Sequence, residues 1–171
     1  HVILSDTGQG PALLENSVML GLDLKRVDSV VLSHGHYDHT GGLSWMMEAR
    51  GAGCPVFLHA RAWKERFSRS TGAVRSIGMP EASRAALLRL SGDAVVVETE
   101  EPARVFPGVW VSGAIPRFHA PEGMDDNLFL HGDALDDVED EQSLFVRTAE
   151  GVVVLMGCGH AGVANTLAHV R

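Results

Sequence analysis

Three imidazoles and one carboxylate stand within six residues, His34-Gly35-His36-Tyr37-Asp38-His39, directly after Ser29-Val30-Val31-Leu32. A β-branched apolar run of that kind reads as a buried strand, which places the polar cluster where the strand ends. Side chains two apart on an extended chain point the same way, so His34 and His36 can close on one metal ion as a pair. Asp38 and His39, beyond the bend, can then serve a second ion, and Asp38 can also orient a water molecule. Imidazole suits zinc, iron and similar borderline ions, and the carboxylate widens the choice to manganese. The following Gly41-Gly42 lets the backbone turn tightly into the next helix. The competing account is a solvated loop that merely happens to be rich in histidine. Spacing, preceding strand and glycine pair all weigh against it.

An ion needs three or four protein donors, so the cluster requires help from elsewhere in the chain. His160 is the leading candidate. It follows the apolar run 152–156 and stands among glycines, in Gly157-Cys158-Gly159-His160, that allow close approach of backbone and ion. A helix beginning at Ala161 would favour an anionic substrate group nearby. The expected grouping is His34, His36 and His160 on one ion, with Asp38 and His39 contributing to the other. Cys158 reads equally as a zinc-binding thiolate and as a buried structural thiol. His169, inside the terminal helix, is a poor substitute for a further ligand.

Around these motifs the pattern alternates between strands and helices. Strands are expected over 2–4, 29–32, 55–58, 93–97 and 109–111, with a hairpin formed by 142–146 and 152–156 about the turn Glu150-Gly151. Helices are expected over 11–22, 43–49, 80–90 and 161–170, the first with Leu13, Leu14, Val18 and Leu20 as its apolar side. Trp45, Met46 and Met47 read as core. His59 falls at a strand end, where a structural role outweighs a pocket role. Residues 61–80 form the one basic region and read as a solvated helix and loop able to attract a phosphate or carboxylate. Arg117 is either an anion clamp or a loop anchor, and His119 a candidate substrate contact. The acidic stretch 125–141 reads as mostly solvated.

The chain has 171 residues with 45% apolar and 21% charged content, enough for one domain with a sizeable core. A formal charge of −8 disfavours non-specific nucleic-acid binding, which rests on phosphate neutralisation by Lys and Arg. A small molecule, anionic if the basic region or bound ions steer it, is the expected partner. Two distant cysteines make no disulfide framework, so a reducing compartment such as the cytoplasm fits. No apolar run approaches the ~20 residues that span a bilayer, and no membrane partner is expected.

The motif His34-Gly35-His36-Tyr37-Asp38-His39 resembles the H-x-H-x-D-H signature of the metallo-β-lactamase superfamily. Ser5-Asp6-Thr7-Gly8, Thr40-Gly41-Gly42-Leu43, Gly113-Ala114-Ile115-Pro116-Arg117, Asp140-Glu141-Gln142-Ser143-Leu144 and Gly157-Cys158-Gly159-His160-Ala161-Gly162 resemble its dihydropterin–ribofuranosylaminobenzene phosphate synthase branch. The resemblance implies an α/β fold, a four-layer αββα sandwich, of which this single domain over 1–171 would be an internal portion, incomplete at both ends. It implies Asp6 as a support beneath the metal loop, against an ordinary turn-capping aspartate. It also implies one or two divalent ions, zinc foremost and manganese or iron as alternatives. The implied chemistry is metal-dependent hydrolysis of an ester, phosphoester or amide, with metal-bound hydroxide as nucleophile. Two alternatives accompany it: a dihydropterin-type transferase that expels pyrophosphate, and a non-catalytic metal-binding domain. Relatives carry Gly-Asp where this chain has Gly157-Cys158, so the carboxylate bridge between ions is absent from the sequence.

Overall fold

The computed structural model describes residues 1–51, 53–90, 96–120, 125–131 and 133–170. In chain order the elements are β1 (Ile3–Ser5), α1 (Ala12–Met19), β2 (Ser29–Val31), α2 (Tyr37–Thr40), α3 (Leu43–Arg50), β3 (Val56–Leu58), β4 (Arg66–Ser68), β5 (Arg75–Ser76) and α4 (Glu81–Leu90). The second half continues with β6 (Val96–Glu98), β7 (Ala103–Phe106), β8 (Val109–Val111), β9 (Leu128–Leu130), β10 (Leu144–Thr148), β11 (Gly151–Leu155) and α5 (Val163–His169).

Strands β1, β2, β3 and β6 form a parallel sheet in that order, and β11, β10, β8 and β7 an antiparallel one. A strand covered on both faces must be apolar at every position, which is why 29–32 and 55–58 read as continuous hydrophobic runs. Their alternate residues divide between two cores. Val30, Leu32, Val56 and Leu58 join Leu43, Met46, Met47 and Leu87 on the helical side. Val31 and Phe57 face Val111 and Leu144 of the antiparallel sheet. Helices, sheet, sheet and a further helix therefore stack as the α/β sandwich that was expected. All the parallel strands end on one rim, and the chain's polar motifs sit there.

Several elements differ from expectation for local physical reasons. The first helix ends at Met19; Leu13 and Leu14 pack on the core, while Val18 and Leu20 are exposed. Trp45 is exposed too, unlike its neighbours Met46 and Met47. The basic region is not a solvated helix: β4 and β5 pair there with β9 as a small third sheet, and Ile77 and Met79 are buried. Neither β7 nor β9 was expected. Of the strand expected over 93–97, residues 93–95 lie outside the described residues. No helix among the described residues is long and apolar enough to cross a membrane.

Close approach explains Gly42. A Cβ added there would run into the Thr7 carbonyl, on the turn that follows β1. Gly42→Ala should therefore push two loops of the rim apart, and we expect a destabilisation of about 1–3 kcal/mol by denaturant unfolding, the range for overpacked sites.

Candidate metal centre

Between β2 and α2 the chain leaves the sheet at Ser33 and re-enters a helix at Tyr37, exposing almost none of the intervening histidines. His34 is 1% and His36 6% exposed. His34 Nε2 lies 2.9 Å from His36 Nδ1, and the rings of His34 and His160 are 5.0 Å apart, those of His36 and His160 5.3 Å. Donor atoms of all three lie within 4.8 Å of one another. Ligands of a tetrahedral zinc, with ~2.0–2.1 Å bonds, sit about 3.3 Å apart, so modest movement accommodates one ion. Among the described residues neither His36 Nε2 nor His160 Nε2, both buried, has a hydrogen-bond partner. The residues thus fit the divalent ion that their chemistry implies.

A single carboxylate sets the orientation of these rings. Asp6, at a φ of 57°, takes the Ser33 backbone amide on Oδ1 at 2.6 Å and the Ser33 hydroxyl on Oδ2 at 2.8 Å. Since Ser33 Oγ donates to Asp6, it accepts from His34 Nδ1 at 2.9 Å. His34 Nε2 is left with its lone pair free. The same Asp6 Oδ2 stands 2.8 Å from His39 Nδ1, and Nε2 of that ring lies 3.0 Å from Cys158 Sγ. Thr7 completes the clamp, its backbone amide and hydroxyl both donating to the His39 carbonyl. Asp6 is therefore the support beneath the loop, not a turn cap alone.

A second set of ties comes from the stretch that had read as solvated acid. Arg66, the largest fully buried side chain among the described residues, donates to Asp136 at 3.0 Å and to Asp140 at 2.6 Å. Asp140 in turn accepts the Gly35 amide at 2.7 Å, in the middle of the His34-Gly35-His36 bend. Glu141 accepts the Ala161 amide beside His160. Gln142 bonds the Ser33 and Leu32 carbonyls. Asp125, Asp126, Asp133 and Glu139 are exposed, in keeping with a mostly solvated stretch, but Asp136, Asp140 and Glu141 are buried, which corrects the reading at those three; burial is sustained because each carboxylate meets a donor.

Arg117 is a loop anchor. Its guanidinium donates to the carbonyls of His160, Asp137 and Val138 and has no carboxylate partner among the described residues, which favours the loop anchor over the anion clamp. The backbone of His119 is clamped to Asn165 of α5 through both its amide and its carbonyl. His59 is buried, with Nδ1 accepting from the Arg61 amide, a capping role at the end of β3. His169 reaches the Ser112 carbonyl, far from the ligand cluster. Asp38 is half-exposed, its carboxylate 3.7 Å from His39 Nε2, and it belongs to neither ligand triplet that the geometry brings together.

Charge is distributed unevenly across the cluster. Burial, reinforced by the neighbouring Arg66, His160 and His39, lowers His36 to about 3. Burial and the surrounding histidines likewise hold His34 well below its usual value. Both rings are thus neutral ligands at physiological pH. Burial opposes protonation of His39 as well, yet its hydrogen bonds to Asp6 and Cys158 outweigh it and raise the ring to about 10. Hydrogen bonds from His160 and His39 lower the Cys158 thiol to about 7.

With this geometry in place, similarity to known proteins can be stated. The family model described as the metallo-beta-lactamase superfamily matches residues 1–168. The 7,8-dihydropterin-6-methyl-4-(beta-D-ribofuranosyl)-aminobenzene-5'-phosphate synthase of Methanocaldococcus jannaschii is 29% identical over 170 residues, covering 95% of this chain and 57% of that protein. An uncharacterised protein of the same organism is 30% identical over 166 residues, covering 96% of this chain and 60% of the relative. A crystal structure of a metal-dependent hydrolase of the beta-lactamase superfamily superposes with a TM-score of 0.76 at 31% identity, over 97% of this chain and 59% of that one. An N-acyl homoserine lactone hydrolase shares the fold at a TM-score of 0.55 and 17% identity, over 98% and 68% of the two chains. The chain spans 57% and 60% of the length of the two curated relatives it matches.

Two outcomes follow for stability. Arg66→Met strands two buried carboxylates and should cost about 3–5 kcal/mol in denaturant unfolding, the range for breaking a buried pair. In the metal-depleted protein, His36 stays neutral when folded down to about pH 3, whereas the unfolded chain takes up its proton near pH 6.5. The His36 contribution is full above about pH 6.5 and falls as acid is added, whereas the raised His39 acts in the opposite sense, so on going from pH 7 to pH 5 the Tm of the wild type should fall more, or rise less, than that of His36→Gln.

Proposed function

Because the chain belongs to the metallo-β-lactamase superfamily, we propose that its histidine-rich rim holds one or two divalent ions and hydrolyses an ester, phosphoester or amide bond of a small molecule. The observation that carries this reading is the convergence of His34, His36 and His160 donor atoms within 4.8 Å, with His160 Nε2 buried and unpartnered. Zinc is the ion favoured by an imidazole-rich set, with manganese and iron as alternatives.

A bound divalent ion supplies Lewis-acid polarisation of the scissile group and acidifies water. The remaining work falls to side chains. Ser33 and Asp6 fix His34 and His39 through one nitrogen of each ring, so that only modest movement of the donors is needed to seat an ion. Asp38, half-exposed beside His39, is placed to accept a proton from water or to orient it. A cavity of about 410 Å³ is lined by His59, Arg61, Glu100, Arg117, Asp137 and Glu139, and Arg117 also holds the His160 carbonyl. Arg61 pairs there with Glu139 and Arg117 with carbonyls. Attraction of an anionic substrate on this account rests on the bound ions more than on free arginines.

A second reading, a transferase that condenses a dihydropterin with an aminobenzene ribotide, is favoured by the similarity to the archaeal synthase. The two separate by assay. With generic ester and phosphodiester substrates, Asp38→Ala should keep the ion at His34, His36 and His160 and lose about 10²–10⁴-fold in turnover, the usual worth of a general base. His36→Ala should lose bound metal as well. Unchanged metal content and unchanged hydrolysis in both variants would contradict the hydrolase, and ribotide binding with no hydrolysis at all would favour the transferase.

A further inference from the structure

His59 brings to the wall of the 410 Å³ cavity a buried ring with one uncommitted nitrogen. The residue is 4% exposed, and its Nδ1 accepts the Arg61 amide at 3.0 Å, so the neutral ring carries its proton on Nε2. That N–H has no acceptor among the described residues. Burial lowers His59 below its usual value against the opposing pull of Asp140 and Glu100, which keeps the ring neutral. A buried donor left unpaired costs free energy that an acceptor on a ligand would restore.

The charges around this ring are unbalanced. Glu100, Glu101, Asp137 and Glu139 line the same space against Arg61 and Arg117. Glu139 pairs with Arg61, and Arg117 is engaged with carbonyls, which leaves Glu100, Glu101 and Asp137 without an ion-pair partner among the described residues. Backbone contacts fix this wall. The Glu100 carbonyl accepts the Ala114 amide at 2.9 Å, and a Cβ at Gly113, whose φ is 63°, would collide with the backbone of Glu100 and Glu101. His59 follows β3 and Glu100 lies just beyond β6, so the cavity is built at the carboxyl ends of parallel strands, where open α/β sheets take their ligands. Its volume suits a small molecule. Among the described residues these carboxylates form no group of three close enough to hold a metal ion, so their charge calls for an organic cation.

We propose that this cavity binds an organic cation, an ammonium or guanidinium group, neutralised by Glu100, Glu101 and Asp137 while the His59 Nε2–H donates to a carbonyl or hydroxyl on the same molecule. Ala114 and Ile115 supply apolar wall for the short aliphatic part between the two. An anion in the same place would face three unpaired carboxylates, and like-charge repulsion excludes it. Arg117 lines the cavity and holds the His160 carbonyl, so the bound molecule and the metal centre stand on either side of one side chain. The cation's role as one arm of a substrate rests on the reading that the rim holds metal; its binding does not.

Calorimetric titration of the full chain with Nα-acetyl-lysinamide and Nα-acetyl-norleucinamide, alike in shape and different in charge, tests this without reference to turnover. The lysine probe should bind about tenfold more tightly, the worth of a hydrogen bond to a charged group. Glu100→Gln combined with Asp137→Asn should erase that preference and leave zinc content unchanged. His59→Phe should weaken both probes, since both present a carbonyl. Equal affinities in the wild type, no binding of either probe at millimolar concentration, a preference that survives the double substitution, or unchanged affinities in His59→Phe overturns the proposal and leaves the His34, His36 and His160 ion standing. Preferential binding of the lysine probe to a chain that takes up no zinc upholds the cation site and contradicts the metal reading.

Discussion

Asp6 gathers the Ser33 amide, the Ser33 hydroxyl and the His39 ring onto one carboxylate, and the rest of the rim is arranged around that junction. It reaches them because β1 lies parallel to β2 in register, Ser5 opposite Val31, so the residue after β1 faces the residues after β2. The left-handed backbone at Asp6 costs strain that aspartate tolerates better than most residues. In return one acceptor sets the tautomers of two imidazoles. A carboxylate does this better than a carbonyl because the charge-assisted bonds are shorter and stronger.

The opposite side of the loop is held by a different device. Arg66 enters from a small third sheet and ties Asp136 and Asp140, and Asp140 ties the Gly35 amide. Desolvating three charges is expensive, and well-packed apolar residues would often match such a network in stability. Its value here lies in position. The His34-Gly35-His36 bend is gripped at Ser33 by Asp6, at Gly35 by Asp140 and at Tyr37 by the Ile77 carbonyl, so its imidazoles have little freedom to turn away. Preorganised donors of this kind lower the cost of seating an ion.

How much of this could be read from residues alone depended on whether the signal was local. The β2 run, the histidine spacing and the Gly-Cys-Gly-His turn are contiguous, and the geometry brings His34, His36 and His160 together as that spacing implied. The 144–155 hairpin was legible for the same reason, two apolar runs about a polar turn. Arg66 and the buried acids were not. Arginine and aspartate read as surface residues, and only pairing across 70 and 74 positions makes their burial affordable. Short strands such as β4 and β9 escaped because each has three residues and takes its stability from cross-strand partners. Arg117 stood at a loop flanked by proline, and nothing local tells a carbonyl anchor from an anion clamp.

The account as a whole depends on ions seated between the β2 loop and the His160 turn. Anomalous diffraction from crystals of the chain, recorded on both sides of the zinc absorption edge, measures that directly. It should show a peak about 2.0–2.1 Å from His34 Nε2, His36 Nδ1 and His160 Nε2. Ordered side chains with no anomalous peak there in zinc-supplemented crystals, or imidazoles turned outward to solvent, would contradict it.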